Sequence, residues 1–184
     1  MSTSRYIALL RAINVGGRTV RMEELRKLFA AMGFADSETF IASGNVIFES
    51  PARSSAEIEQ QIEKGLETSL GYEVATFVRS PAQLAAIAAH EPFARDELDR
   101  PGAALYIGFL RDAPGDDARQ KLLALRSRID DFHLHGRELY WLARERMSES
   151  KVSNAVLERI LASRTTLRNI NTVRKLAAKY PAER

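Results

Sequence analysis

The spacing of apolar and polar positions changes several times along the chain, and each change marks an element. Tyr6 to Asn14 is a β-branched and aliphatic run ending at Val15-Gly16-Gly17, where two glycines give the backbone the freedom a turn needs. It predicts a largely buried central strand. Met22, Leu25, Phe29 and Met32 then recur at helical spacing, with Gly33 placed to end the helix in the left-handed region. Thr39 to Phe48 predicts a hairpin turning at Ser43-Gly44, with Ala42 opposite Asn45, Ile41 opposite Val46 and Phe40 opposite Ile47. Ser54 and Glu57 form a capping box ahead of the stripe Ile58, Ile62, Leu66 and Leu70, which stops at Gly71. Tyr72 to Arg79 alternates as a strand. The order is β-α-β-β-α-β, a split βαβ or ferredoxin-like half whose first and third strands are central.

Ser80-Pro81 with Gln83 caps an alanine-rich helix to about His90, and Glu91 to Gly102 reads as the connection, giving halves of 1–90 and 91–184. The second half opens with a strand from Ala103 to Leu110, a turn at Pro114-Gly115 and a helix carrying Leu122, Leu125 and Ile129. A hairpin turning at Gly136-Arg137 places Phe132, Leu134, Leu139 and Trp141 on a core face and His133, His135, Glu138 and Tyr140 on the other. A helix from Ser153 to Leu161 follows, with Val156, Leu157, Ile160 and Leu161 inward. Ser163 to Arg168 is a candidate edge strand, and a last helix starts near Asn169 to Thr172 and stops before Pro181. The fold class is α+β, a ferredoxin-like first half followed by a related βαββα half with an extra C-terminal helix.

Composition narrows the chemistry. With 184 residues, nearly half of them apolar, the chain has enough surface to bury for one large domain or two small ones. There is no cysteine, which removes disulfides, thiolate metal sites and cysteine nucleophiles. No apolar run is long enough to cross a bilayer, and Arg11 interrupts the first one, so the expected location is the cytoplasm. The net charge of +3 is uneven: Arg144 to Arg184 holds ten Lys or Arg against four Asp or Glu. Such a basic segment attracts phosphates or nucleic acid, or is simply a solvated helix face.

Two polar clusters could carry function. Arg11 sits near the end of a central strand, where a guanidinium needs a carboxylate, carbonyl or bound anion, and the turn Asn14-Val15-Gly16-Gly17-Arg18 could aim backbone amides at an anion. The plain alternative is a strand-to-helix turn with Arg11 in a structural ion pair, since neither a P-loop nor a dinucleotide fingerprint is present. Arg168, Asn169, Asn171 and Thr172 sit where a helix begins, a place that either binds anions or is capped by its asparagines. Lys151, Ser153 and Asn154 open the preceding helix in the same manner. His133 and His135 share a strand face as metal ligands do, but the only further donors in view are Glu138 and Asp131, and the sequence assigns no metal and no cofactor. No serine or aspartate partner is placed for a hydrolase triad with His90, and no aromatic platform of the RNA-recognition kind appears.

Leu10 to Gly17, Ser43 to Phe48 and Arg168 to Val173, with Ser150 to Asn154 as a further segment, together resemble the bacterial family named domain of unknown function 1697 over essentially the whole chain. The chain departs from the family pattern in carrying Ala12 where glycine is usual and Ile170 where an aromatic is frequent. The resemblance implies a ferredoxin-like first half and a related second half, and it supplies no reaction. The residues then point to a small anionic ligand, phosphate- or carboxylate-bearing, held in a cleft between the halves by Arg11, Asn14, Gly16, Gly17 and Arg18 from one side and Arg168, Asn169, Asn171 and Thr172 from the other. The rival is a nucleic-acid or protein interaction module using the basic C-terminal segment. Whether the chain is an enzyme, and in what oligomeric state, is not encoded in any of these patterns.

Overall fold

A computed structural model describes residues 3–182 except Val15, Ala42, Ser43 and Arg53. Contacts divide the chain into two compact units, residues 1–84 with 180–184, and residues 85–179.

The first unit contains β1 (Ser4–Leu10), α1 (Met22–Ala31), β2 (Ala35–Thr39), β3 (Asn45–Ser50), α2 (Ser55–Leu70) and β4 (Thr76–Arg79). Its antiparallel sheet has the order β2-β3-β1-β4, so β1 and β3 are central and the unit is ferredoxin-like. One face of β1, Tyr6, Ala8 and Leu10, packs with Phe48 against Leu25 and Phe29 of α1 and Ile58, Ile62 and Leu66 of α2. Burying these large side chains is the main source of stability here. Of the predicted α2 capping box one half forms, Ser54 accepting from the Glu57 amide at 3.4 Å, and Gly71 ends the helix as expected at φ 77°. Met22, expected on the inward stripe, is instead 41% exposed.

The first hairpin corrects the sequence reading. Thr39 lies opposite Val46 and Glu38 opposite Ile47, a shift of two positions from the predicted register. Side chains alternate with a period of two, so at Glu38 and Thr39 the slip preserves the faces. Ile41, expected opposite Val46, falls outside the strand at φ 61° and is 45% exposed, and a bulge between Ala35 and Glu38 shifts the register again. A longer connection selects it. Phe40 donates its amide to Asn45 O at 3.0 Å, Asn45 Nδ2 donates to Phe40 O at 3.0 Å, and Gly44 O accepts from Leu10 N at 2.8 Å. Ala42 and Ser43 of the predicted turn lie outside the described residues.

α3 (Pro81–Ala89) opens with the predicted reciprocal cap, Gln83 N donating to Ser80 Oγ at 3.2 Å and Ser80 N to Gln83 Oε1 at 2.9 Å. The segment read as a plain connection contains a one-turn helix, α4 (Arg95–Leu98).

The second unit contains β5 (Ala104–Phe109), α5 (Asp116–Leu123), β6 (Asp130–His135), β7 (Glu138–Ala143), α6 (Asn154–Leu161), β8 (Thr166–Asn169) and α7 (Ile170–Lys179). Its sheet order, β6-β7-β5-β8, repeats that of the first unit. With β8 in place the half is a full β-α-β-β-α-β unit followed by α7. The second hairpin has the predicted register, Leu134 opposite Leu139 and His133 opposite Tyr140, around Gly136 at φ 58°. Phe132, Leu134, Leu139 and Trp141 enter the core with Leu122 and Leu157. α5 ends at Leu123, short of Leu125 and Ile129, and Ser127 Oγ, accepting from the Ile129 and Asp130 amides at 3.2 and 3.0 Å, shapes the turn into β6. Among the described residues no helix is long and apolar enough to cross a membrane.

Candidate functional site

In the first unit, β1 stops at Leu10 because Ala12 adopts φ 53°, outside the strand region. The chain from Arg11 to Val20 then forms a loop fixed at its base. The Arg11 amide donates to Ala75 O at 2.8 Å, Tyr72 Oη donates to Ile13 O at 3.0 Å, and Asn14 Oδ1 accepts from Val20 N at 2.7 Å. Arg18 is exposed, and its guanidinium stands 4.3 Å from the centre of the Tyr72 ring, a cation–π contact that holds it beside the loop. Gly16 and Gly17, at φ 64° and 80°, form an exposed tip with no atom within 4 Å of where a Cβ would stand. Val15 lies outside the described residues. Arg11, Asn14, Gly16, Gly17 and Arg18 therefore share one loop, with Asn14 serving to close it.

Arg168, Asn169, Asn171 and Thr172 lie at the β8–α7 junction of the second unit. Arg168 is buried, its Nη1 donating to Thr166 Oγ1 at 2.8 Å and to Leu167 O at 2.9 Å, and burial pushes its guanidinium down to about 10. Asn169 Oδ1 accepts from the Asn171 amide at 2.9 Å, a cap of the α7 start, while Asn171 is exposed and Thr172 half-buried. At α6, Ser153 accepts from Val156 N at 3.3 Å and Asn154 Nδ2 donates to Thr165 O at 3.2 Å. An open groove of about 460 Å³ runs beside this helix, with Ile129, Val152 and Val156 below and Arg128 and Lys151 among its polar lining. Part of the basic C-terminal charge is engaged within the unit: besides Arg168, Arg144 binds Glu97 at 3.0 Å and Asp131 at 3.2 Å.

The polar face of the second hairpin gains a partner that strand spacing could not supply. His90, one residue beyond α3, places its Nε2 3.3 Å from His133 Nε2 and stacks on His135 with ring centres 4.2 Å apart. Burial, then the nearby His135, lowers the pKa of His90; burial, then His90, His135, Arg119 and Arg126, lowers that of His133. The buried Tyr140 lies against both His90 and His133 and donates to Ile87 O at 3.2 Å, tying the end of α3 to the hairpin. The signal available in the sequence was the face assignment of His133 and His135; the packing of α3 on that face was not.

Two ferredoxin-like units in tandem, with polar loops at strand ends and no assembled catalytic triad among the described residues, define a class of small α+β proteins known by fold and not by reaction. The family described as "Protein of unknown function (DUF1697)" matches residues 3–140, and the chain belongs to it. A solved structure of the conserved bacterial protein SP0830 from Streptococcus pneumoniae is similar throughout, with a TM-score of 0.69, 23% identity, and coverage of 96% of this chain and 98% of that one. That likeness carries the fold. No curated protein matches the chain.

Proposed function

We propose that the protein binds a small anionic ligand, through a phosphate or carboxylate group, at the β1–α1 loop of its first unit. One observation carries this reading: the loop is secured by three hydrogen bonds at its base while its glycine tip is left open beside a held arginine. Fixing the loop in this way holds its donors in place before a ligand arrives, which recognition gains from. The β8–α7 cluster contributes less, because Arg168 and Asn169 already bond within their own segment.

Calorimetric titration with inorganic phosphate, pyrophosphate and citrate at low ionic strength tests the proposal. Saturable binding is expected, weakened by about tenfold in Arg18→Ala, the loss of roughly one charge-assisted contact. Tyr72→Phe keeps the ring under Arg18 but removes the bond to Ile13, and a smaller loss is expected. The absence of binding at millimolar anion, or full affinity in Arg18→Ala, would refute it.

A further inference from the structure

The chain contains three histidines and no cysteine, and all three histidines meet at one place in the second unit. One ligand nitrogen from each of His90, His133 and His135 lies within 4.8 Å of the other two. They arrive from two elements far apart in sequence, the end of α3 and strand β6, so local sequence bias does not account for the convergence.

We propose that His90, His133 and His135 form a three-imidazole site for a divalent transition metal of the zinc or cobalt type, with its remaining position open to solvent. Two imidazole nitrogens bound to tetrahedral zinc, each about 2.05 Å from the ion, are about 3.3 Å apart. His90 Nε2 and His133 Nε2 are already at 3.3 Å. The third ring, His135, is exposed and stacked on His90, and one of its nitrogens lies within 4.8 Å of the other two donors, within the range a side-chain rotation at a surface position can close. Alternation along β6 puts His133 and His135 on one face, and the Tyr140 bond to Ile87 O anchors the end of α3, just before His90, over that face. With neither thiolate nor carboxylate among the three donors, imidazole-preferring ions are selected over calcium or magnesium.

The surrounding charge is mixed. Arg119 and Arg126 face His133 and oppose a cation, but Arg126 is itself bound to Asp131 at 2.7 Å, and Glu138 stands opposite His135 across the hairpin. The competing account is a plain imidazole hydrogen bond with one stacked ring, which needs no ion.

Cobalt(II) titration of the full-length, untagged protein separates the two, since no other histidine or cysteine exists to bind the ion. The expected result is one equivalent bound, with the visible absorption of a low-coordinate cobalt centre, displaced by zinc, and a zinc-dependent rise in melting temperature. His90→Gln and His135→Gln should each weaken zinc at least about tenfold, the lower end of what even outer-shell losses cost. His135 is exposed, so its variant keeps the fold if His90→Gln does not. No cobalt spectrum and no zinc shift at about a hundred micromolar ion, far above the affinity of a three-histidine site, would overturn the proposal. So would zinc affinity unchanged in His135→Gln.

Discussion

Single residues in this chain show where the backbone departs from what its side chains prefer. Ala162 closes α6 at φ 49°, ψ 34°, where its amide donates to Glu158 O. That left-handed position is one where glycine escapes the Cβ clash that costs other residues about 1–2 kcal/mol. Glycine also gives the unfolded chain more freedom, which removes part of the gain. Ala162→Gly is therefore expected to stabilise the protein by about 0.5–1 kcal/mol in urea titration, and a loss of stability would show that the Cβ has packing value. Ala12, at φ 53°, is another non-glycine residue in the left-handed region. The loop following β1 therefore bends through the left-handed region here without a glycine.

At the level of elements, the two hairpins explain which parts of the fold were legible. In the second, the two-residue turn at Gly136-Arg137 fixes the register that the alternation on both sides leaves open to slips of two. In the first, Phe48, Ile47 and Val46 fix the faces, but a two-residue slip satisfies the same pattern. Asn45 bonds across the turn to Phe40, and Gly44 accepts from Leu10 of β1, a tertiary contact the local pattern does not encode. A second hidden feature is charge inside the first unit. Glu59 and Arg79 are both 1% exposed and 4.0 Å apart, and Glu59 Oε1 also accepts from the Val78 amide at 2.8 Å. The helical stripe of α2 predicts Glu59 next to the core, but not a buried arginine to meet it. Glu59→Ala should cost about 3–5 kcal/mol, because it leaves a guanidinium buried without its carboxylate. The double variant Glu59→Leu/Arg79→Met should lose less than Glu59→Ala alone, as judged by denaturation midpoints. An additive loss would mean that the two side chains act separately.

Over the whole molecule, the same strand order appears twice with different residues, and the candidate sites fall on different parts of that repeated plan. The first unit offers a loop at the end of a central strand, cationic and exposed. The second offers three imidazoles over a strand face, His90 and His133 half-buried against Tyr140 and His135 exposed. Sequence reading found the loop because glycine and arginine announce themselves locally, and it missed the third histidine because residues 90 and 133 meet only after folding. The two sites should respond differently to salt. Exposed charge is screened over about 8 Å at physiological ionic strength, so phosphate binding at an arginine-flanked loop should fall steadily as sodium nitrate is raised from about 0.05 to 0.5 M. Zinc coordination by uncharged nitrogens depends on short bonds and not on long-range attraction, so its affinity should change much less across the same range. Nitrate avoids the competition that chloride would offer for the ion. Parallel titrations of one preparation make the comparison: phosphate affinity insensitive to salt would argue against a charged loop site, and zinc affinity falling as steeply as phosphate affinity would argue against direct imidazole ligation.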